Sequence, residues 1–83
     1  MARLTLYSKP GCHLCDEMKG VVERVLQGRD RISFEEIDIS NHPALLKLYE
    51  LEIPVLVIDG KKVAKYRVTE RELVRRLDGK RGE

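Results

Sequence analysis

Residues Leu4-Thr5-Leu6-Tyr7-Ser8-Lys9-Pro10-Gly11-Cys12-His13-Leu14-Cys15 decide how this chain is read. Leu4 and Leu6 alternate with Thr5 and Tyr7, which predicts a strand from about Arg3 to Tyr7. Ser8-Lys9-Pro10-Gly11 breaks it. From Cys12 the period changes: Leu14, Met18, Val21, Val22 and Val25 recur on one face of a helix. Asp16 and Glu17 stand in its first turn, where the helix dipole favours negative charge, and Gly28 is placed to end it. The two cysteines of the chain therefore fall where a strand hands over to a helix.

Working outward, Ile32 to Ile39 is rich in branched and aromatic residues and reads as a second strand. Its alternation changes face between Phe34 and Ile37, so either a bulge near Glu35-Glu36 or a late strand start is expected. Ser40-Asn41-His42-Pro43 predicts a helix entry capped by Ser40 or Asn41, followed by a short helix from Ala44 to about Glu50. Val55 to Ile58 is continuously apolar and predicts a strand buried on both faces. Asp59-Gly60 is a tight-hairpin signal, and Lys61 to Arg67 returns as a lysine-studded edge strand. Thr69-Glu70-Arg71-Glu72 is a capping box, after which Leu73, Val74 and Leu77 face the core and Gly79 closes the helix. Lys80 to Glu83 are expected to be loose. The order of elements is strand, helix, strand, helix, strand, strand, helix. The first strand–helix–strand unit is expected to be parallel with a right-handed crossover, so an α/β mixed four-stranded sheet with three helices follows.

At 83 residues the chain has room for one domain, taken as residues 1–83. Such a chain buries only about 60–65% of its unfolded surface, so its chemistry must come from a few side chains or a borrowed cofactor. With 42% apolar and 36% charged residues it is neither disordered nor membrane-spanning. Met1 to Tyr7 lacks an h-region of signal-peptide length, so the expected location is cytoplasmic, with no membrane partner. Residues 1–60 carry seven Lys/Arg and ten Asp/Glu, whereas residues 61–83 carry nine and four. The basic residues alternate with glutamates and have no aromatic series beside them, so no nucleic-acid partner is expected. A monomer is expected.

Two cysteines are few for a disulfide scaffold, and one Cys-x-x-Cys supplies only half the ligands of a structural zinc site. Beside a strand–helix–strand pattern, the pair reads as redox-active. A thiolate at Cys12 meets the unpaired first amides and the positive end of the helix, which stabilise it. Cys15 lies inside the first turn. In this reading Cys12 attacks a disulfide and Cys15 resolves the mixed disulfide. The alternatives are two inert apolar cysteines, or a metal site completed by His13 and His42. His13 either lowers the Cys12 thiol pKa as a neighbouring cation or is an uncoupled surface residue. Lys9 either binds a substrate carboxylate or is a solvated loop lysine. Pro54, lacking an N–H, belongs at a strand start, and a cis Ile53–Pro54 bond would present the Ile53 backbone to an incoming peptide or tripeptide.

Tyr7 to Cys15, then Glu52-Ile53-Pro54-Val55-Leu56, then the hairpin and last helix resemble, in that order, a glutaredoxin-like member of the thioredoxin-fold superfamily. The Cys-His-Leu-Cys variant after Pro-Gly is similar to a bacterial glutaredoxin-like family. The resemblance implies a thioredoxin-like fold with sheet order 2-1-3-4 and a cis Ile53–Pro54 bond facing the cysteines. It also implies thiol–disulfide exchange with Cys12 as nucleophile and Cys15 as resolver, and Lys9, His13, Ile53 and Pro54 as substrate-binding residues. No bound cofactor is implied beyond glutathione or another thiol as reductant. The partners implied are disulfide-bearing proteins or glutathione, together with a reductase or thiol donor. Three stretches depart from the commoner glutaredoxin pattern. His13-Leu14 stands for Pro-Tyr, Glu52-Ile53 for Thr-Val, and Tyr66-Arg67-Val68-Thr69 for the Gly-Gly that holds glutathione. The leading expectation is a small dithiol–disulfide oxidoreductase acting on protein or glutathione mixed disulfides. A metal or iron–sulfur carrier and a non-catalytic binding module are the alternatives.

Overall fold

A computed structural model describes residues 2–79. Its elements are β1 (Ala2–Ser8), α1 (His13–Leu26), β2 (Ile32–Asp38), a short 3-10 turn (Ile39–Asn41), α2 (Pro43–Tyr49), β3 (Val55–Ile58), β4 (Lys61–Lys65) and α3 (Glu70–Gly79). The order is the one the periodicities predict. The expectation of a loose tail falls on Lys80 to Glu83, outside the described residues.

The four strands form one sheet in the order β2-β1-β3-β4. β1 and β2 run parallel, while β1–β3 and β3–β4 are antiparallel. Pairing Leu4 with Ile58 and Leu6 with Leu56 sets four apolar side chains on one face. That face packs against Met18, Val22 and Val25 of α1 and Leu73 of α3 to make the main core. The opposite face carries Tyr7, whose ring stacks on Tyr49 of α2 at 4.7 Å between centroids. β3 is buried along its whole length because both of its faces are covered, as its unbroken apolar run requires.

β2 departs from both expectations. It pairs with β1 in one unbroken register from Ile32 to Asp38, with neither a bulge nor a late start. Its pattern changes because it is an edge strand covered on different faces along its length. Ile32 and Phe34 pack on the main core, while Ile37 pairs with Tyr7 and so lies on the Tyr49 side. The irregularity of the sheet lies instead between β3 and β4. There the register slips at Leu56/Val57, and both Val63 and Ala64 pack against the main core.

The entry to α2 also differs. The cap is His42, which makes no side-chain cap bond, and Pro43 opens the helix. Ser40 is engaged elsewhere. Its amide and hydroxyl both donate to the Asp38 carboxylate, at 2.9 and 2.6 Å, which caps the 3-10 turn. These two bonds, led by the hydroxyl, hold the Asp38 carboxyl below the usual range, helped by the charges of His42 and Lys9.

The hairpin is built as its dipeptide predicts, with Asp59 and Gly60 both at positive φ. Asp59 also ties the hairpin to β1: its carboxylate accepts the Arg3 amide, and its own amide donates to the Arg3 carbonyl, both at 2.9 Å. β4 stops at Lys65, two residues before the expected end, because Tyr66 turns to a φ of 70°. The α3 capping box is formed. The Glu72 amide donates to Thr69 Oγ1 and the Thr69 amide to Glu72 Oε1, each at 3.0 Å. Leu73 is fully buried, and Val74 and Leu77 pack beside the core. The ion pairs Arg24–Glu70 and Arg29–Asp78, at 2.6 and 2.8 Å, join α1 and the segment after it to the outer surface of α3.

Candidate active site

One end of the sheet gathers the residues that matter. β1 runs antiparallel to β3 with Tyr7 opposite Val55, and Val55 is in turn opposite Lys65. The loop after β1, the residues before β3 and the chain leaving β4 therefore meet at a common edge. Lys9 to Cys12, Ile53-Pro54 and Tyr66 all belong to these three segments.

Gly11, at φ 76°, turns the chain between β1 and α1 in a conformation that side chains disfavour. Cys12 follows in extended conformation as the N-cap of α1. Its sulfur accepts the amide of Cys15 at 3.1 Å, and its carbonyl accepts the amide of Asp16 at 3.1 Å. Sulfur thus fills the place usually held by a Ser, Thr or Asp oxygen. Cys12 and Cys15 are joined as a disulfide with their Cα atoms 5.2 Å apart. Cys12 is half-exposed, whereas Cys15 is 1% exposed and faces the interior. The two sulfurs therefore differ in access although they lie one helical turn apart.

The other expected site residues lie on the segments that meet at this end of the sheet. Pro54 is buried, follows a cis bond from Ile53, and its carbonyl accepts the Tyr66 amide at 2.8 Å. Ile53 is half-buried and its amide donates to the Tyr49 carbonyl at 3.1 Å, so that N–H is already engaged. His13 is exposed at the first helical position and, among the described residues, makes no hydrogen bond or ion pair. Lys9 is half-buried and lines a cleft of about 310 Å³ with Ser8, Lys19, Glu36 and Asp38. Its charge acts on Asp38. In the same cleft the nearly buried Ser8 hydroxyl donates to Glu36 at 2.9 Å, and Lys19 pairs with Glu36 at 3.1 Å. Glu36 is the main reason the Lys19 ammonium titrates above its ordinary range.

Tyr66 is the residue that spacing alone did not single out. It stands in the stretch that departs from the Gly-Gly pattern, and at positive φ it takes a backbone conformation natural to glycine. Its hydroxyl donates to the Leu51 carbonyl at 3.0 Å, so its side chain lies against the segment before Pro54. With Val68 and Thr69 it walls a cleft of about 160 Å³ whose other side is Leu14, Glu17, Met18 and Val21 of α1. Leu14, which lies between the two cysteines in sequence, lines this largely apolar cleft. Among the described residues no group of three or more His, Cys, Asp or Glu is arranged to hold a metal ion. None of the described helices is long and apolar enough to cross a membrane.

Comparisons with known proteins agree with this geometry. Residues 3–78 match the family model described as Glutaredoxin-like domain (DUF836). A glutaredoxin-like protein of Dictyostelium discoideum is 29% identical over 75 residues, covering 84% of this chain and 69% of that protein. The structure of protein XcR50 from X. campestris is 30% identical with a TM-score of 0.77, covering 92% of this chain and 96% of the other. Chloroplastic thioredoxin z superposes with a TM-score of 0.81 over all of this chain and 80% of its own, at 15% identity, a likeness of fold.

Proposed function

The chain belongs to the glutaredoxin-like domain family, and on that premise we propose that it is a dithiol–disulfide oxidoreductase working through Cys12 and Cys15. The thioredoxin-like fold and the Cys-x-x-Cys pair together suggest redox function. The observation that carries the finer reading is the Cys12 cap, a sulfur at a helix start, partly open to solvent and accepting the Cys15 amide at 3.1 Å. When the pair is reduced, that amide and the helix dipole favour a thiolate at Cys12 over a thiol and move its titration below the ordinary value of about 8.5.

The Cys12 thiolate bonds to one sulfur of the substrate disulfide, and the second substrate sulfur leaves and takes a proton. Cys15 loses its proton, attacks Cys12 and releases the first substrate sulfur as a thiol. Two electrons pass to the substrate and the Cys12–Cys15 disulfide remains. A dithiol reductase, or two molecules of glutathione or another small thiol, returns the pair to its reduced form. The burial of Cys15 supports the division of roles, because a substrate reaches Cys12 first. A reducing compartment such as the cytoplasm fits this cycle.

Among possible substrates, protein disulfides fit better than the glutathione tripeptide. Where the commoner pattern has two glycines that hold glutathione, this chain has Tyr66, whose side chain fills that stretch with its hydroxyl bonded to Leu51. Lys9, the residue expected to bind a substrate carboxylate, lines a cleft that already contains Glu36 and Asp38. The test is a disulfide-reduction assay with Cys12→Ser and Cys15→Ser, joined to pH-dependent alkylation of the reduced protein. Loss of turnover in Cys12→Ser, trapped mixed disulfide in Cys15→Ser and a Cys12 pKa well under 8.5 are expected. Full activity of Cys12→Ser would overturn the reading.

A further inference from the structure

The cleft lined by Leu14 and Tyr66 adjoins a second one. Arg67 and Val68 line both, and from them a groove of about 260 Å³ runs between β4 and α3. Its floor is apolar, made by Val63, Ala64, Val68 and the buried Leu73. Its rim is basic, made by Lys65, Arg67, Arg75 and Arg76. Among the described residues, the guanidinium groups of Arg67, Arg75 and Arg76 make no hydrogen bond or ion pair, unlike those of Arg24 and Arg29. The one acid on this rim, Glu72, is taken up by the Thr69 cap. Arg76 also lines the adjoining cleft at Ile58, Asp59, Lys61 and Val63, so the positive track follows β4 along its length. β4 is the last strand of the sheet, and this flank faces no further strand.

Like charges brought together over a low-dielectric floor repel one another, and a negatively charged ligand relieves that repulsion. The apolar floor and the edge strand suit an extended polypeptide. A nucleic acid would require stacking surfaces, and the one ring lining the track, Tyr66, is bonded through its hydroxyl to Leu51. We propose that the substrate of the cysteine pair is a protein disulfide flanked by an acidic segment. The segment lies in the β4–α3 groove against Arg67, Arg75 and Arg76, while its cysteine reaches Cys12 past Leu14 and Tyr66. This rests on the redox reading above and assigns it a substrate class. Docking raises the rate of encounter and leaves the exchange of sulfur atoms, protons and electrons as written there.

The test uses the reduced full-length protein and two peptides of equal length, each carrying its cysteine as a mixed disulfide with thionitrobenzoate. One has glutamates around the cysteine and the other has glutamines. The glutamate peptide is expected to react about tenfold faster at low salt, with the advantage collapsing at high salt. Arg75→Gln/Arg76→Gln should bring the two rates together. Arg31→Gln/Lys47→Gln, which removes the same charge from other elements, should keep them apart. Equal rates in the native protein at low salt would overturn the proposal, as would an advantage that survives Arg75→Gln/Arg76→Gln. A labelled single-stranded oligonucleotide that binds more tightly than the glutamate peptide would overturn it in favour of nucleic acid. If neither peptide nor hydroxyethyl disulfide is reduced, the redox reading itself falls. If both peptides and hydroxyethyl disulfide are reduced and the peptide rates are equal, only the docking proposal falls.

Discussion

α1 and α3 begin with the same hydrogen bond made by different atoms. At α3 the Thr69 hydroxyl accepts the Glu72 amide at 3.0 Å, and Glu72 returns the bond. At α1 the Cys12 sulfur accepts the Cys15 amide at 3.1 Å, with no reciprocal partner among the described residues. An oxygen cap is a good acceptor and stabilises its helix. A thiol sulfur is a poor one until it ionises. The fold thus places its strong cap where a helix has to be held and its weak cap where chemistry is proposed. The α3 cap secures a helix whose Leu73 completes the core, whereas the α1 cap gains strength only when its sulfur is charged.

This contrast can be broken experimentally, and the largest effect is expected at Cys12. Cys12→Ser should lower disulfide-reduction turnover to the uncatalysed rate, because an alcohol does not exchange with disulfides. Compared with the reduced native protein, its stability to urea should be equal or higher, because serine is the better cap. A variant that is both inactive and markedly unstable would show that the sulfur is chiefly structural.

Next in size is Leu73→Ala. It empties a fully buried site that joins α3 to the sheet and should cost about 2–5 kcal/mol of unfolding free energy, read by urea denaturation. Thr69→Ala should cost about 1 kcal/mol in the same measurement while turnover of a small disulfide in the folded state is retained. If Thr69→Ala reduced turnover as much as it reduced stability, the separation between a holding cap and a reacting cap would fail.

The smallest effect belongs to a third cap, the Asp38 carboxylate on Ser40. Its folded pKa is held below the ordinary value of about 3.9, so its contribution is fully present above that value. It is lost as pH falls through the lower, folded pKa. Asp38→Asn should therefore shift the urea midpoint slightly at pH 7 and by less at pH 2 to 3. The Thr69 hydroxyl does not titrate in this range, so the Thr69→Ala difference should show no matching acid step.

Much of the fold was legible in the chain. The alternation of Leu4 to Tyr7, the helical face of Leu14 to Val25, the four-residue apolar strand and the Asp59-Gly60 turn each act over a few residues, and each element is found. So is the Thr69–Glu72 box, whose partners are three residues apart. The β2 pattern and the α2 cap misled because their causes are not local. One depends on which helix covers each face of an edge strand, the other on Asp38 taking both donors of Ser40.

The sequence by itself determined the placement of Cys12 and Cys15 at a strand-to-helix junction, since a change of period and a Pro-Gly break suffice to locate it. It also determined that the basic residues cluster after residue 60. Only the tertiary structure decided that Cys15 is covered while Cys12 is partly open, and that the Tyr66 hydroxyl bonds to Leu51. It alone aligned Arg67, Arg75 and Arg76 along one groove. The physical reason is range. Helix periods, turns and caps are settled by neighbours in the chain. Burial and the shape of a binding track depend on segments tens of residues apart, and the antiparallel pairing of β1, β3 and β4 brings those segments to one end of the sheet.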